Sequence, residues 1–196
     1  MSPSAWFLSA WVIWGLSWLV AAAWTGRTES AVSGARGDVW LYRALVFIGF
    51  GLINERSSRA LSAARLWHVG RTGAYVLAGV TILGLLFTWW ARLVLGRLWS
   101  SSVTRKEGHR VIDTGPYAFV RHPIYTGLIA ATLATAAAVA TLPALLGVAC
   151  VGTGFWLKAS IEERFLSAEI GQDAYADYRR RVPMLIPRWP RRMRSH

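Results

Sequence analysis

The chain has 196 residues, of which 54% are hydrophobic and only 16% charged, and its formal net charge is +12. A soluble domain of this length needs more charge on its surface, and here the charges gather between long uncharged runs. That segregation excludes an ordinary soluble globule, and it makes anionic lipid, not nucleic acid, the expected partner of the basic excess.

The first apolar run, Ala5 to Trp24, is uncharged and spans about 20 residues, enough to cross roughly 30 Å of hydrocarbon. Ala21-Ala22-Ala23 resembles a signal-peptide cleavage site, but no Lys or Arg precedes the run, so a retained span is expected. The second run, Val39 to Ile53, is shorter and carries Arg43 near its start, where the side chain can snorkel to the interface. The third, Tyr75 to Gly96, ends in Trp89, Trp90 and Arg92. A polar, basic stretch follows from Arg97 to His122. Two further runs, Ile124 to Leu142 and Ala144 to Leu157, predict a tight helical hairpin hinged at Pro143. From Lys158 the chain is amphipathic and charged through Arg181, and Pro183, Pro187 and Pro190 end any further helix. The twelve tryptophans and six tyrosines are expected to form an interfacial belt at the span ends.

The fold class expected is therefore an all-α integral membrane protein of about five transmembrane helices. A hairpin at 124–157 and a cytoplasmic amphipathic helix complete it, in a single membrane domain over 1–196. Five spans leave sixteen loop and tail cations on one side and four, Arg56, Arg59, Arg65 and Arg71, on the other. The positive-inside rule then puts the C-terminus in the cytoplasm. The four-Arg loop is an awkward minority, and it weighs most against the second span.

The lone Cys150 cannot form an internal disulfide, and His68, His109, His122 and His196 are too scattered to suggest a metal site, so no metal is expected. The stretch from His109 to Gly127 packs two His, two Arg and two Tyr at the mouth of the hairpin. Gly115-Pro116 reads as a turn and Pro123 as the first residue of a helix. Arg121 and His122 would then sit beside a helix N-terminus, whose N–H groups favour an anion such as the carboxylate of an amino-acid-like ligand. The plainer alternative is that these residues anchor a span at the interface. Further on, Lys158 and Glu162 are four apart and share a helix face, while Glu163 lies about 100° further round. They read either as a solvated salt bridge or as a carboxylate placed to grip ribose hydroxyls, an adenine amino group or an ammonium. As a pair for acid–base work, the adjacent carboxylates are expected to splay apart.

Gly115-Pro-Tyr-Ala-Phe-Val-Arg-His-Pro-Ile-Tyr-Thr-Gly127, a hydrophobic hairpin, Glu162-Glu163, and then Gly171, Tyr175 and Tyr178 through Pro183 together resemble the isoprenylcysteine carboxyl methyltransferase family. The related membrane phospholipid N-methyltransferases share the Arg-His-Pro-x-Tyr-x-Gly and Glu-Glu elements. The resemblance covers residues 97–190, the expected cofactor-binding core, and leaves 1–96 to shape a lipid-side entrance. It implies an S-adenosylmethionine-dependent methyltransferase with a cytoplasmic pocket roofed by the C-terminal segment. The cofactor contacts it implies fall on His109, Arg110, Val111 and Ile112 (largely through backbone), on Tyr117, on His122, Pro123 and Tyr125, and on Glu162 with its neighbour Glu163. Arg121 and Lys158 are the substrate-positioning candidates. Lys158 stands where the eukaryotic members have an Arg, so it keeps the charge but lacks the bidentate fork.

The acceptor implied is lipophilic, a carboxylate such as a prenylcysteine-like group. Such a nucleophile needs no base, whereas an amine acceptor would need one, with Glu163 or His122 as candidates. An NADPH-dependent membrane reductase and a non-enzymatic membrane scaffold are the remaining readings.

Overall fold

The computed structural model describes residues 2–22, 28–31, 36–62, 64–96, 104–106, 112–170 and 172–189. Seven helices organise it: α1 (Pro3–Ala22), α2 (Arg36–Ile53), α3 (Glu55–Leu61), α4 (Arg71–Leu95), α5 (Pro123–Val139), α6 (Leu142–Ile170) and α7 (Gln172–Arg181). Two short strands, β1 (Thr28–Ala31) and β2 (Thr104–Lys106), pair antiparallel, and a 3-10 turn covers Gly115–Ala118. The architecture is that of an all-α membrane protein, with this small ribbon and α3 as additions that hydropathy did not announce.

Three helices, α1, α4 and α6, are long and apolar enough to cross a membrane by length and composition, and α5 is a shorter apolar helix. The second run does form a helix of 18 residues, but Arg36, Asp38 and Arg43 lie in it and it is not among those three. The helices lie alongside one another. Gly84 of α4 faces Gly127 of α5, where an added Cβ would come 2.8 Å from the Gly127 carbonyl oxygen. Gly49 of α2 meets Gly147 of α6 in the same way, at 2.7 Å from the Gly147 carbonyl. Lipid is as apolar as a leucine side chain, so close backbone approach, not hydrophobic burial, is what holds such helices together.

The aromatic belt expected from the sequence needs correction for α1. Trp11 and Trp14 lie on a seam between helices: the Trp11 Nε1–H donates to Thr135 Oγ1 of α5 (3.1 Å) and the Trp14 Nε1–H to Thr88 Oγ1 of α4 (2.8 Å). From α4, the Trp89 indole returns a bond to Ser17 Oγ at 3.0 Å. An indole N–H in hydrocarbon needs an acceptor, and a hydroxyl on the neighbouring helix supplies one, worth roughly 1 kcal/mol each. At the C-terminal end of α1, the buried Arg92 guanidinium donates to the carbonyls of Ala21 (3.1 Å) and Gly96 (2.5 Å).

The α5–α6 hairpin turns at Ala140–Thr141, not at Pro143. Ala140 caps α5 in the left-handed region, with φ at 58°. Pro143 sits in the first turn of α6, where its missing N–H costs nothing. Behind the turn, Ser58 of α3 bonds Thr141, the Leu66 N–H donates to Ala140 O at 2.7 Å, and the Trp67 indole donates to Ala137 O at 2.9 Å. The last run also does not stop at Leu157, because α6 continues as one helix to Ile170 and carries Lys158, Glu162 and Glu163 on it.

Candidate functional site

At the other end of the hairpin, the chain enters α5 through the 3-10 turn. Gly115 takes a positive φ of 58° there, and Pro116 and Tyr117 are buried behind it. Pro123 occupies the first turn of α5 and His122 is its N-cap, with no side-chain capping bond to the helix. The imidazole is thereby turned toward α6. Its Nε2 lies 3.2 Å from Glu163 Oε1 and its Nδ1 3.5 Å from Glu162 Oε2. The expectation that the two carboxylates splay apart is corrected here. They do leave the helix in different directions, but an imidazole is wide enough to touch both.

Glu163 is the more enclosed of the two, with 6% of its side chain exposed against 17% for Glu162. Arg121 grips it with a fork, Nε to Oε1 at 2.7 Å and Nη2 to Oε2 at 3.2 Å, and Arg179 Nε approaches Oε2 at 3.2 Å. The remaining Arg121 donors go to the carbonyls of Arg179 (3.0 Å) and Val182. The guanidinium placed by the sequence beside a ligand is thus committed to holding the C-terminal segment.

That segment lies along the start of α5. The N–H groups of Arg121 and His122 donate to Pro183 O (2.8 Å) and Met184 O (3.1 Å), and the Arg188 N–H donates to Phe119 O (3.1 Å). Thr126 Oγ1 donates to Leu185 O at 2.8 Å, and the Tyr178 hydroxyl donates to Tyr117 O at 2.8 Å. Burial raises the Tyr178 hydroxyl well above its ordinary range, so it stays a neutral donor.

Glu162 belongs to a second cluster. The Tyr125 hydroxyl donates to its Oε1 at 2.6 Å, and Lys158 Nζ is 3.8 Å from the same oxygen. The ammonium stands over the rings of Tyr125 (5.2 Å) and Tyr42 (5.8 Å), with 12% of the side chain exposed. His122, Tyr125 and Phe155 form a stacked column, with centroids 5.4 Å and 5.0 Å apart and planes within 8°. Such a nest of aromatic faces, carboxylate and ammonium can hold a molecule that carries both charges.

For His122, burial pulls the pKa down, but hydrogen bonds and charge from Glu162 and Glu163 more than offset it, and the net direction is upward from 6.5. Among the described residues, no three His, Cys, Asp or Glu side chains gather for a metal ion.

Of the residues singled out from sequence, the structure brings together Arg121, His122, Pro123, Tyr125, Lys158, Glu162 and Glu163. Tyr117 is buried with its carbonyl bonded to Tyr178, and Ile112 is half-buried at the start of its segment. His109, Arg110 and Val111 lie outside the described residues. Tyr42, Phe155, Tyr178 and Arg179 were missed. Tyr178 and Arg179 did carry a signal, since both stand in the stretch through Pro183 that bears the family resemblance, whereas Tyr42 and Phe155 carried none.

A family model described as the isoprenylcysteine carboxyl methyltransferase family matches residues 77–168. A protein-S-isoprenylcysteine O-methyltransferase of Schizosaccharomyces pombe is 30% identical over 176 residues, 88% of this chain and 67% of that protein. The chain belongs to the isoprenylcysteine carboxyl methyltransferase family. Within the family's matched region lie Arg121, His122, Tyr125, Lys158, Glu162 and Glu163. Shorter stretches match more strongly elsewhere. Methanethiol S-methyltransferase 2 of Bradyrhizobium diazoefficiens is 46% identical over 80 residues, 40% of this chain and 29% of that protein. A methanethiol S-methyltransferase of Mycobacterium tuberculosis is 48% identical over 77 residues, 39% and 30% of the two chains. The alignments thus span less than a third of the length of these two relatives.

Proposed function

We propose that this membrane protein transfers a methyl group from S-adenosylmethionine to a lipophilic carboxylate of the prenylcysteine kind. The observation that carries the acceptor class is the fate of the two candidate bases. His122 has a carboxylate at each ring nitrogen, and Glu163 is buried under Arg121, His122 and Arg179. Neither is placed to take a proton from an incoming amine, and a carboxylate needs none taken.

The residues present fit the donor chemically. Glu162 keeps partial exposure beside Tyr125 and suits hydroxyl or amino groups, while the N-terminus of α5 suits a carboxylate. Tyr42, Tyr125 and Phe155 supply the faces that a positively charged group favours. When bound, the donor supplies an electrophilic methyl on a sulfonium, whose departure needs no protonation. The work left to this chain is to bind, orient and exclude water. Lys158 draws the acceptor anion toward the site, and the C-terminal segment, held by Arg121, covers the start of α5. Arg121 positions substrate only through this clamp.

A thiol acceptor is the second reading, favoured by the 46% identity to a relative named a methanethiol S-methyltransferase. A thiolate shares the anionic chemistry, so Lys158 would serve it equally. The active site and C-terminus are assigned to the cytoplasmic side on the sixteen-to-four distribution of cations. Reporter fusions at His196 and near Gly34 should both read cytoplasm, and a signal from the opposite side at either overturns the arrangement.

Calorimetry on the detergent-purified protein tests the donor: S-adenosylmethionine should bind and NADPH should not. NADPH binding without any response to the methyl donor would replace this reading with the reductase. Labelled-methyl transfer then separates acceptors, with label expected in an S-prenylated cysteine analogue. Label in small thiols alone would select the second reading.

A further inference from the structure

We propose that His122 is a stable imidazolium wedged between Glu162 and Glu163, and that it is a positioning residue which fixes the Glu162 carboxylate and couples it to the C-terminal clamp. The inference rests on the proposed donor site only for its consequence for binding. The protonation state follows from geometry alone.

A carboxylate is an acceptor, and both imidazole nitrogens face one, at 3.2 Å and 3.5 Å. A neutral ring has one N–H and one lone pair, so one nitrogen would turn its lone pair toward a carboxylate oxygen. A proton moved onto either Glu would relieve that clash, but the other partners of the two carboxylates oppose it. Glu162 also accepts from the Tyr125 hydroxyl and sits beside the Lys158 ammonium, while Glu163 accepts the Arg121 fork and faces Arg179. Every one of those neighbours is a donor and asks for an ionised acceptor.

The groups facing the ring or its two carboxylates are therefore Tyr117, Arg121 and Tyr125 before and at the start of α5, Lys158, Glu162 and Glu163 on α6, and Tyr175, Tyr178 and Arg179 on α7. With the ring protonated, four cations surround two anions, and the surplus positive charge favours an anionic acceptor. The ring also bridges elements. Its backbone N–H holds Met184 of the covering segment, and its side chain holds Glu162 of the site. Loss of the proton would loosen Glu162 and leave a lone pair against a buried carboxylate.

The direction of the titration agrees, because the His122 pKa is raised above 6.5 in the folded protein. Its contribution to stability is fully present below about 6.5 and is lost as pH rises through the raised folded value, so the effect lies on the alkaline side.

Nitrogen-15 NMR of the full-length protein labelled at histidine decides the matter. At about pH 7, above the ordinary imidazole value of about 6.5, one histidine should still show two protonated ring nitrogens. His122→Gln should remove that signal. Should that variant fail to fold, replacing His68, His109 and His196 by Gln leaves His122 as the sole source. Glu163→Gln should lower the titration of the remaining signal by about 1–3 pH units. S-adenosylmethionine affinity in wild type should fall over the range in which the signal titrates. A neutral His122 tautomer at about pH 7 overturns the proposal whether or not the donor binds. Donor affinity independent of that titration overturns the coupling, while failure of the donor to bind at any pH overturns the proposed function and leaves the imidazolium standing.

Discussion

The two ends of the α5–α6 hairpin are closed by opposite chemistry. At the turn, Ala140 and Thr141 are held by neutral groups: the Ser58 and Thr141 hydroxyls, the Leu66 N–H and the Trp67 indole. At the mouth, the same two helices are held by Arg121, His122, Glu162, Glu163 and Arg179, all carrying charge. A hairpin in lipid can be closed without charge, so charge buried at one end calls for a separate reason. That reason is the covering C-terminal segment and the largely buried cluster of Tyr42, Tyr125, Lys158 and Glu162 beside the ion pairs.

Removing the charged closure should have the largest effect. Glu163→Ala leaves the Arg121 guanidinium and the His122 ring without their buried partner. Breaking a buried pair from one side costs about 3–5 kcal/mol. Arg179 is 52% exposed, and its share is screened by solvent. The thermal midpoint in detergent should drop by on the order of 10 °C, and protease should reach the segment after Val182. A change no larger than that of an exposed acid on the turn side would erase the contrast between the ends.

Glu162→Ala sharpens the comparison within the mouth itself. Its carboxylate is offered to the site, so the expected loss is in S-adenosylmethionine affinity, by about 10- to 150-fold, the equivalent of roughly 1.5–3 kcal/mol for a charge-assisted hydrogen bond. Glu55→Ala, at the turn end, breaks only the exposed pair with Arg59 and should leave affinity unchanged. Equal affinity in wild type and Glu162→Ala, with both folded, would remove the ligand role from the residue most central to it.

What sequence made legible follows the same division. The mouth residues that come in runs, Arg121-His122-Pro123 and Glu162-Glu163, were visible because a proline start and a helical register keep neighbours together. Tyr42 and Phe155 were not, because each stands alone in an apolar helix, and only the packing of α2 and α6 brings them to Tyr125. The role of Arg179 was hidden by its company, since three consecutive arginines after a span read as cytoplasmic charge. The helix register of the two glutamates was read correctly, but the width of an imidazole between them is not a property of spacing. At the turn, Pro143 drew the hinge to itself, whereas the backbone bends three residues earlier, where Ala140 takes a left-handed conformation.

The smallest expected effect is at the turn, and it is the cleanest measure of a neutral closure. Thr141 is fully buried, bonds the equally buried Ser58, and stands 3.4 Å from the Ala144 N–H it can accept. Thr141→Val keeps the shape and deletes the hydroxyl, so Ser58 loses its partner in an enclosed place. An orphaned buried hydroxyl costs about 1–3 kcal/mol. Ser58→Ala alone should cost less, because Thr141 keeps the Ala144 N–H as a partner. Because removing both partners together can be nearly neutral, the double variant Ser58→Ala with Thr141→Val should recover much of the loss. Denaturation of the three variants measures this as a coupling energy, and donor affinity should stay at the wild-type value in all of them. Losses that simply add would mean the two hydroxyls do not act as a pair. A fall in donor affinity would mean that the turn and the mouth are not independent, which the neutral-against-charged contrast requires them to be.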